Sequence, residues 1–436
     1  MASSKDVAPL QPRGAIARSM GLLLKTAICV VVAALAMGTP AIAEQSKRAK
    51  KRPVAAPAKA VMPALARDGQ AEARLVEIYR LIGQSRGRAA LAQAESLVKE
   101  HPNFQLAQLV YGDLLASQTR PLLHLGDVPD IEAKSSATLL AELREESQQR
   151  MRALRERPPV GAVPSQFLSL STRTKHAIAV DASRSRLYLF ENSATGLKLV
   201  GDYYASVGKL GVDKGVEGDQ RTPLGVYFIT SNLDPKTLRD FYGSGALPIN
   251  YPNAYDARRG KTGSGIWLHG TPPDQFARAP KATDGCIALS NPDLDRIIRT
   301  VEVRTTPFVI AQTLQWVAPQ SVRAESQVFE STLQAWRQAK SSGDVASTLA
   351  FYAADFSSSG KSLQEWTPRL RKELEQARGR GIELKDLTYL RWKDSNDTMV
   401  VTFGEVLVGD RSGTTKRQYW VRQGPHWKIF FEGTIG

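Results

Sequence analysis

The sequence predicts a multidomain α+β protein, with a β-rich domain set between an N-terminal helical region and a C-terminal cone of helices and strands. Three observations carry that expectation. Apolar residues recur at three- and four-residue spacing from about Gly69 to Arg157. Short apolar runs separated by turn residues take over from about Lys175 to Gln312. Helical spacing returns near Glu325 and gives way to four longer strand-like runs. A length of 436 residues leaves room for two to four domains.

Residues 1–43 read as a secretory signal. Arg13, Arg18 and Lys25 give a positive start, Ala27 to Met37 is apolar, and Ala41-Ile42-Ala43 is an A-x-A cleavage site. The alternative is a retained anchor, but the apolar stretch falls short of the roughly 20 residues a membrane span needs. No second run of that length follows, so no stable membrane span is expected. Residues 44–68 are rich in Lys, Arg, Ala and Pro, with Lys47, Arg48, Lys50, Lys51 and Arg52 clustered. Such a segment cannot bury a core and reads as a disordered basic tether.

In the helical region, 69–157, Leu75, Ile78, Tyr79 and Ile82 share a face. The run A-E-S-L-V-K-E-H-P-N-F-Q-L-A-Q-L-V-Y-G-D-L-L resembles one tetratricopeptide-type hairpin, with Pro102 closing the first helix and Ala107 and Gly112 as small packing positions. Arrays of that kind need about three repeats to stand alone, so an accessory helical domain or interaction surface is expected. Pro158-Pro159 and Gly161 to Pro164 mark a linker.

The β-rich domain spans 172–313. Its strands are expected at His176–Asp181, Arg186–Phe190, Leu199–Val207, Val226–Thr230, Ile266–His269 and Phe308–Ala311. The loop G-K-L-G-V-D-K-G-V-E-G-D-Q-R-T-P-L-G lies among them, but it lacks Walker spacing and a following helix, so it is a poor phosphate loop. The last domain spans 324–436. Phe329, Leu333, Trp336 and Ala339 line a helix face, and Val345, Leu349, Tyr352 and Phe356 continue the helical spacing. Strands follow at Leu384–Trp392, Met399–Val408, Arg417–Gln423 and Trp427–Gly433. This order of helices then antiparallel strands resembles the SnoaL-like, nuclear transport factor-like cone. Members of that fold often bind small ligands or dimerise; no catalytic constellation is visible in it here.

The chain holds 58 Lys and Arg against 43 Asp and Glu, a net charge of +15. A leader with four basic residues and one acidic residue, once removed, leaves +12. An acidic partner fits that balance, although simple solubility explains it equally. Export, and the lack of zinc-finger or aromatic-interleaved basic motifs, exclude nucleic acid. A carboxylate-bearing cell wall is the natural alternative.

Of the two cysteines, Cys29 lies in the leader, which leaves Cys286 unpaired. Such a thiol is either a buried small hydrophobe or a reactive group. It sits in T-D-G-C-I-A-L, 17 positions after His269 in G-I-W-L-H-G. A histidine at the end of a strand-like run can take the thiol proton and return it to a leaving amine. Asp284 and Gly285 form a turn that exposes the thiol and offers backbone N–H groups to an oxyanion, and Gly270 leaves room beside the imidazole. Asp284 is equally readable as a base, a residue that orients His269, or a plain turn residue. Lys209, Lys214 and Arg221 either bind substrate carboxylates or form a solvated loop. Tyr251 and Trp267 either line the cleft or pack in the core. One cysteine and scattered histidines give no metal spacing.

G-I-W-L-H-G followed by T-D-G-C-I-A-L resembles the H-G…S-H-G-C-[IV]-R signature of YkuD-type L,D-transpeptidases, and E-G-D-Q-R-T-P-L-G-V-Y resembles that family's strand entry before the active site. The resemblance covers about Lys175 to Gln312. It implies a cofactor-free Cys-His mechanism in the periplasm, with Cys286 as nucleophile, His269 as base and Gly285 as the glycine before the nucleophile. It further implies peptidoglycan stem peptides as substrate. The thioester would be resolved by diaminopimelate, by an outer-membrane lipoprotein lysine or by water, with hydrolysis as the alternative to transfer. Two positions depart from the pattern: Thr283-Asp284 stands for Ser-His, and Ala288 for the arginine two residues after the cysteine. These changes resemble an S-x-G-C-x-A subset, some members of which cut links between peptidoglycan and protein. A non-catalytic wall-binding scaffold is the reading from a different class.

Overall fold

The computed structural model describes residues 67–128 and 134–435. The leader and nearly all of the tether read from the sequence therefore lie outside the described residues. The tether's last two residues, Arg67–Asp68, form a short strand paired in parallel with Gly201 and Asp202, rather than disordered chain.

A six-stranded sheet organises the centre, in the order Arg67–Asp68, Gly196–Tyr204, Arg186–Ser193, His176–Asp181, Pro307–Ala311, Gly225–Phe228. Alternate residues of these strands serve two different cores, which is why the strands read as almost continuous apolar runs. Ile178, Val180, Leu187, Leu189, Phe308 and Ile310 face one side, where they pack against Leu247, Leu268, Ile287 and Leu294. Ala177, Ala179, Tyr188, Phe190 and Val309 face the other, against Leu390, Trp392, Val400, Tyr419 and Phe430 of the C-terminal sheet. The first side carries a second, three-stranded sheet in the order Ile287–Ala288, Trp267–His269, Ala246–Pro248.

The C-terminal domain is built on a sheet ordered His426–Thr434, Thr414–Gln423, Asp397–Leu407, Ile382–Lys393, with Phe167–Ser169 added at the edge. That fifth strand comes from the segment assigned to the linker side of the catalytic domain. Helices Pro319–Ser342 and Leu363–Ala377 pack on one face of this sheet through Phe329, Leu333, Trp336, Leu370 and Leu374. The first helix begins six residues before the expected Glu325 because Pro319, read as a link, sits in its first turn, where its missing N–H costs nothing. The second helix went unread, although Ser362 and Glu365 form a capping box. The helix expected through Phe356 stops at Leu349. Tyr352 instead bridges Ile429, so the apolar spacing there reflects packing onto the sheet.

The helical region consists of Gln70–Gly83, Gly87–Glu100, Gln105–Ala116 and Ala137–Arg155. The second and third form the expected hairpin around Pro102. Its attachment to the central sheet was not legible. Glu72 accepts from Arg186 of the sheet at 2.7 Å and pairs with Arg150 at 2.9 Å; Arg186 also pairs with Asp202 at 2.6 Å, and Arg150 with Glu146 at 2.7 Å. Arg150 and Arg186 are almost completely buried. The hairpin's apolar core also takes in Phe276 from the β-rich domain, stacked on Phe104 with ring centres 4.2 Å apart.

Candidate active site

His269 ends the central strand of the three-stranded sheet, paired in parallel with Ile287–Ala288 so that Leu268 faces Ile287 and His269 faces Ala288. Continuing that register back one residue sets Cys286 opposite Trp267. Residues two apart on a strand share a face, so Cys286 and His269 emerge on the same side. They line one cavity of about 430 Å³, together with Arg239, Phe241, Tyr242 and Asp284.

The imidazole is buried and held in one tautomer. Its Nδ1 lies 2.7 Å from Gly270 O; a carbonyl only accepts, so Nδ1 carries the proton and Nε2 keeps its lone pair. Burial lowers the His269 pKa to about 4, against the raising effect of the Gly270 bond and with a further lowering from Arg278. Tyr242 meets the ring edge-on at 5.2 Å and Phe241 lies 5.9 Å away. The thiol donates to Gly265 O at 3.4 Å rather than to the imidazole. Burial pushes its pKa above the ordinary value; the Trp267 backbone N–H and the Arg278 guanidinium pull it down, and Asp284 adds to the rise.

The glycines have steric reasons. Gly285 has φ +122° and a Cβ there would sit 2.7 Å from Arg221 O. Its N–H donates to Thr283 Oγ1 at 3.2 Å, so in this conformation it is engaged rather than aimed at an oxyanion. A Cβ on Gly270 would overlap Asn291 Oδ1. Asn291 is the organiser that sequence reasoning missed. Its Oδ1 accepts from Ser244 N at 3.0 Å and Thr271 N at 3.1 Å, while Nδ2 donates to Thr271 O at 2.9 Å, which fixes the chain leaving His269. The sequence signal was slight: an Asn before Pro at a helix start.

The remaining candidates scatter. Asp284 does not orient His269; it is exposed and accepts from Lys209 Nζ at 3.0 Å and Gln220 Nε2 at 3.3 Å. Lys209 is thereby tied to the cavity rim. Arg221 turns its guanidinium to Val212 O at 3.1 Å, away from the cavity lining, because its loop closes on itself. Lys214 is buried against Asp219 and Val216 O. Trp267 contributes its backbone, and its ring packs on Tyr242 at 4.8 Å outside the lining. Tyr251 is core, its hydroxyl donating to Thr262 O at 3.1 Å. Among the described residues no three His, Cys, Asp or Glu side chains are grouped to hold a metal ion.

A strand-borne histidine diagonal to a lone cysteine, entered through a glycine turn, is the arrangement the sequence motif implied. Residues 175–310 match the YkuD family, the L,D-transpeptidase catalytic domain. Residues 328–433 match the Cds6 C-terminal NTF2-like domain. No curated protein matches the chain. Among solved structures, Bd1075 from Bdellovibrio bacteriovorus is 26% identical with a TM-score of 0.52, covering 63% of this chain and 98% of its own. Pgp2 from Campylobacter jejuni, described as a helical cell shape determining protein, is 21% identical with a TM-score of 0.50, covering 62% of this chain and 95% of its own; that likeness is one of fold. The YkuD and NTF2-like matches agree with both domain resemblances read from the motifs and element order. Within the YkuD domain, Ala288 is buried beside Ser206 and opposite His269.

Proposed function

We propose that the protein is an exported cysteine enzyme acting on L,D linkages of peptidoglycan stem peptides. The observation that carries this reading is the shared cavity of Cys286 and His269, with Nδ1 committed to Gly270 O and Nε2 free to accept a proton. Cys286 rotates from Gly265 O, and its S–H proton passes to Nε2 as sulfur attacks the carbonyl carbon. The tetrahedral adduct collapses when His269 returns that proton to the leaving amine nitrogen, leaving a thioester. An incoming amine then attacks the thioester, gives its proton to His269, and expels the thiolate, which takes the proton back. Water in place of the amine makes the reaction a hydrolysis, and Ala288, standing where the family pattern has an arginine, offers no guanidinium to a substrate carboxylate. The likeness to a cell shape determining protein agrees with a role in wall remodelling and cell form.

The test is incubation of the purified protein with sacculi, with and without an added D-amino acid, followed by muropeptide analysis. Exchange products support transfer, and released residues or peptides alone support hydrolysis. A Cys286→Ala variant that performs like the wild type in vitro, or restores wall composition in a deletion strain, would leave the scaffold reading in place of the enzyme.

A further inference from the structure

Where the C-terminal sheet meets the central sheet, a buried positive charge has no negative charge beside it. Arg417 is 6% exposed, and its guanidinium carbon lies 3.2 Å from the centre of the Phe228 ring. Its Nε donates to Thr402 Oγ1 at 3.0 Å, and Nη2 makes a long bond of 3.4 Å to Arg304 O. Both acceptors are neutral, and Nη1 donates to no described residue. No carboxylate among the described residues lies within ion-pair distance of Arg417. Burial lowers its pKa to about 10, with Tyr419 alone opposing the fall. Burying a guanidinium in this way is costly unless an anion joins it.

The surroundings supply the rest of an anion site. Thr388 stands opposite Thr402 on the neighbouring strand, and Thr402 opposite Arg417. Residues paired across strands share a face of the sheet, so two hydroxyls and a guanidinium form one row facing the central sheet. Thr388 Oγ1 accepts from Ser171 N at 3.0 Å, and Thr402 Oγ1 accepts from Arg417 Nε. Each hydroxyl therefore keeps its own hydrogen to donate. The row lines a cavity of about 120 Å³, which has room for a group of a few heavy atoms and not for a peptide or a sugar chain. Arg173, Arg304 and Asp386 line it too, and Asp386 is held by Arg173 at 2.9 Å. Neither Cys286 nor His269 is part of this lining.

We propose that the cavity is a binding site for one small oxyanion, held by Arg417, Thr388 and Thr402, which secures the contact between the two domains by neutralising the charge buried there. The three donors belong to the C-terminal sheet, while Phe228 and Arg304 come from the β-rich domain. An ion in this position therefore strengthens the docked arrangement and gains nothing from either domain alone. A phosphate group and a carboxylate group share the required chemistry, since both accept from a guanidinium and from hydroxyls.

The test uses the full-length protein with inorganic phosphate and with acetate, each at constant ionic strength made up with chloride. At least one of the two should bind saturably by calorimetry and raise the thermal unfolding midpoint with its concentration. A response to phosphate assigns a tetrahedral ligand, and a response to acetate alone a planar one. Arg417→Met should weaken that binding about tenfold or more and remove the rise in midpoint. Arg417→Lys keeps the charge but loses the fork, so its affinity should fall between the two, which leaves the site assignable if the Met variant does not fold. The absence of a saturable response to either ion in the wild type, a measurement that needs no variant, overturns the proposal. Binding that survives unchanged in the Arg417 variants also overturns it, as an ion lodged beside Arg239 in the Cys286 cavity would do.

Discussion

The resting pair of Cys286 and His269 is neutral, and this can be measured. The imidazole's pKa is about 4 and the thiol's lies above its ordinary value. Taking the ordinary thiol value near 8.5, and before any attraction between the two charges, moving the proton from sulfur to Nε2 is uphill by about 6 kcal/mol. Roughly one molecule in 10⁴ or fewer would hold a thiolate–imidazolium pair at equilibrium. In the proposed reaction His269 would therefore work as a general base during attack, not by storing a preformed thiolate. Titrating the protein with iodoacetamide across pH, in parallel with thiolate absorbance, should give a single inflection above the ordinary thiol range. Reaction near neutrality should be slow, and His269→Ala should leave the alkylation profile with no new acidic inflection. An inflection below about pH 7, lost in His269→Ala, would mean an ion pair exists at rest and would refute this reasoning.

Four further outcomes follow from the geometry. Because folded His269 resists protonation to about pH 4 while an unfolded histidine titrates near 6.5, its contribution to stability is complete above about 6.5 and falls by about 3 kcal/mol as pH drops through 4; urea melts against pH should show this loss reduced in His269→Gln. Asn291→Ala leaves the Ser244 and Thr271 N–H groups without their acceptor, which costs about 2–3 kcal/mol by chemical denaturation and lowers kcat by disturbing the chain after His269. Arg150→Met strands buried Glu146 and should cost about 3–5 kcal/mol, read in the same denaturation. Phe276→Ala opens a cavity in the helical core costing about 3–5 kcal/mol, and wall-product assays should show lowered activity although Phe276 touches neither Cys286 nor His269.

The sequence exposed those parts of the protein that are local in the chain. Cys286 and His269 were legible because the motif places each at a strand end beside a glycine, and a parallel register turns that pattern into adjacency. The four C-terminal strands were legible from alternation. The stacking of Arg278 on Phe241 was not: Arg278 lies in F-A-R-A-P-K, a loop without periodicity, and its ring partner comes from another loop. Asn291 was hidden for the same reason, since its partners Ser244 and Thr271 come from two other loops. The candidates that turned elsewhere, Arg221 and Lys214, belong to a loop that spends its charges on its own carbonyls and on Asp219. Composition identifies a basic loop but not the direction of its side chains. Likewise, the pairing of Phe167–Ser169 with Tyr389 and Leu390 joins segments too distant for any spacing rule to connect.

Phe276 has a consequence for how the chain matures. The helical hairpin is synthesised first, yet one of the rings in its core belongs to a loop made long afterwards. Until that loop is delivered, the hairpin is an open socket with Phe104 and His101 as its unfilled wall. The loop that closes the socket is the one that follows His269 in the chain. A chain cut short before residue 276 would therefore leave the hairpin core without one of its rings and would also lack Cys286.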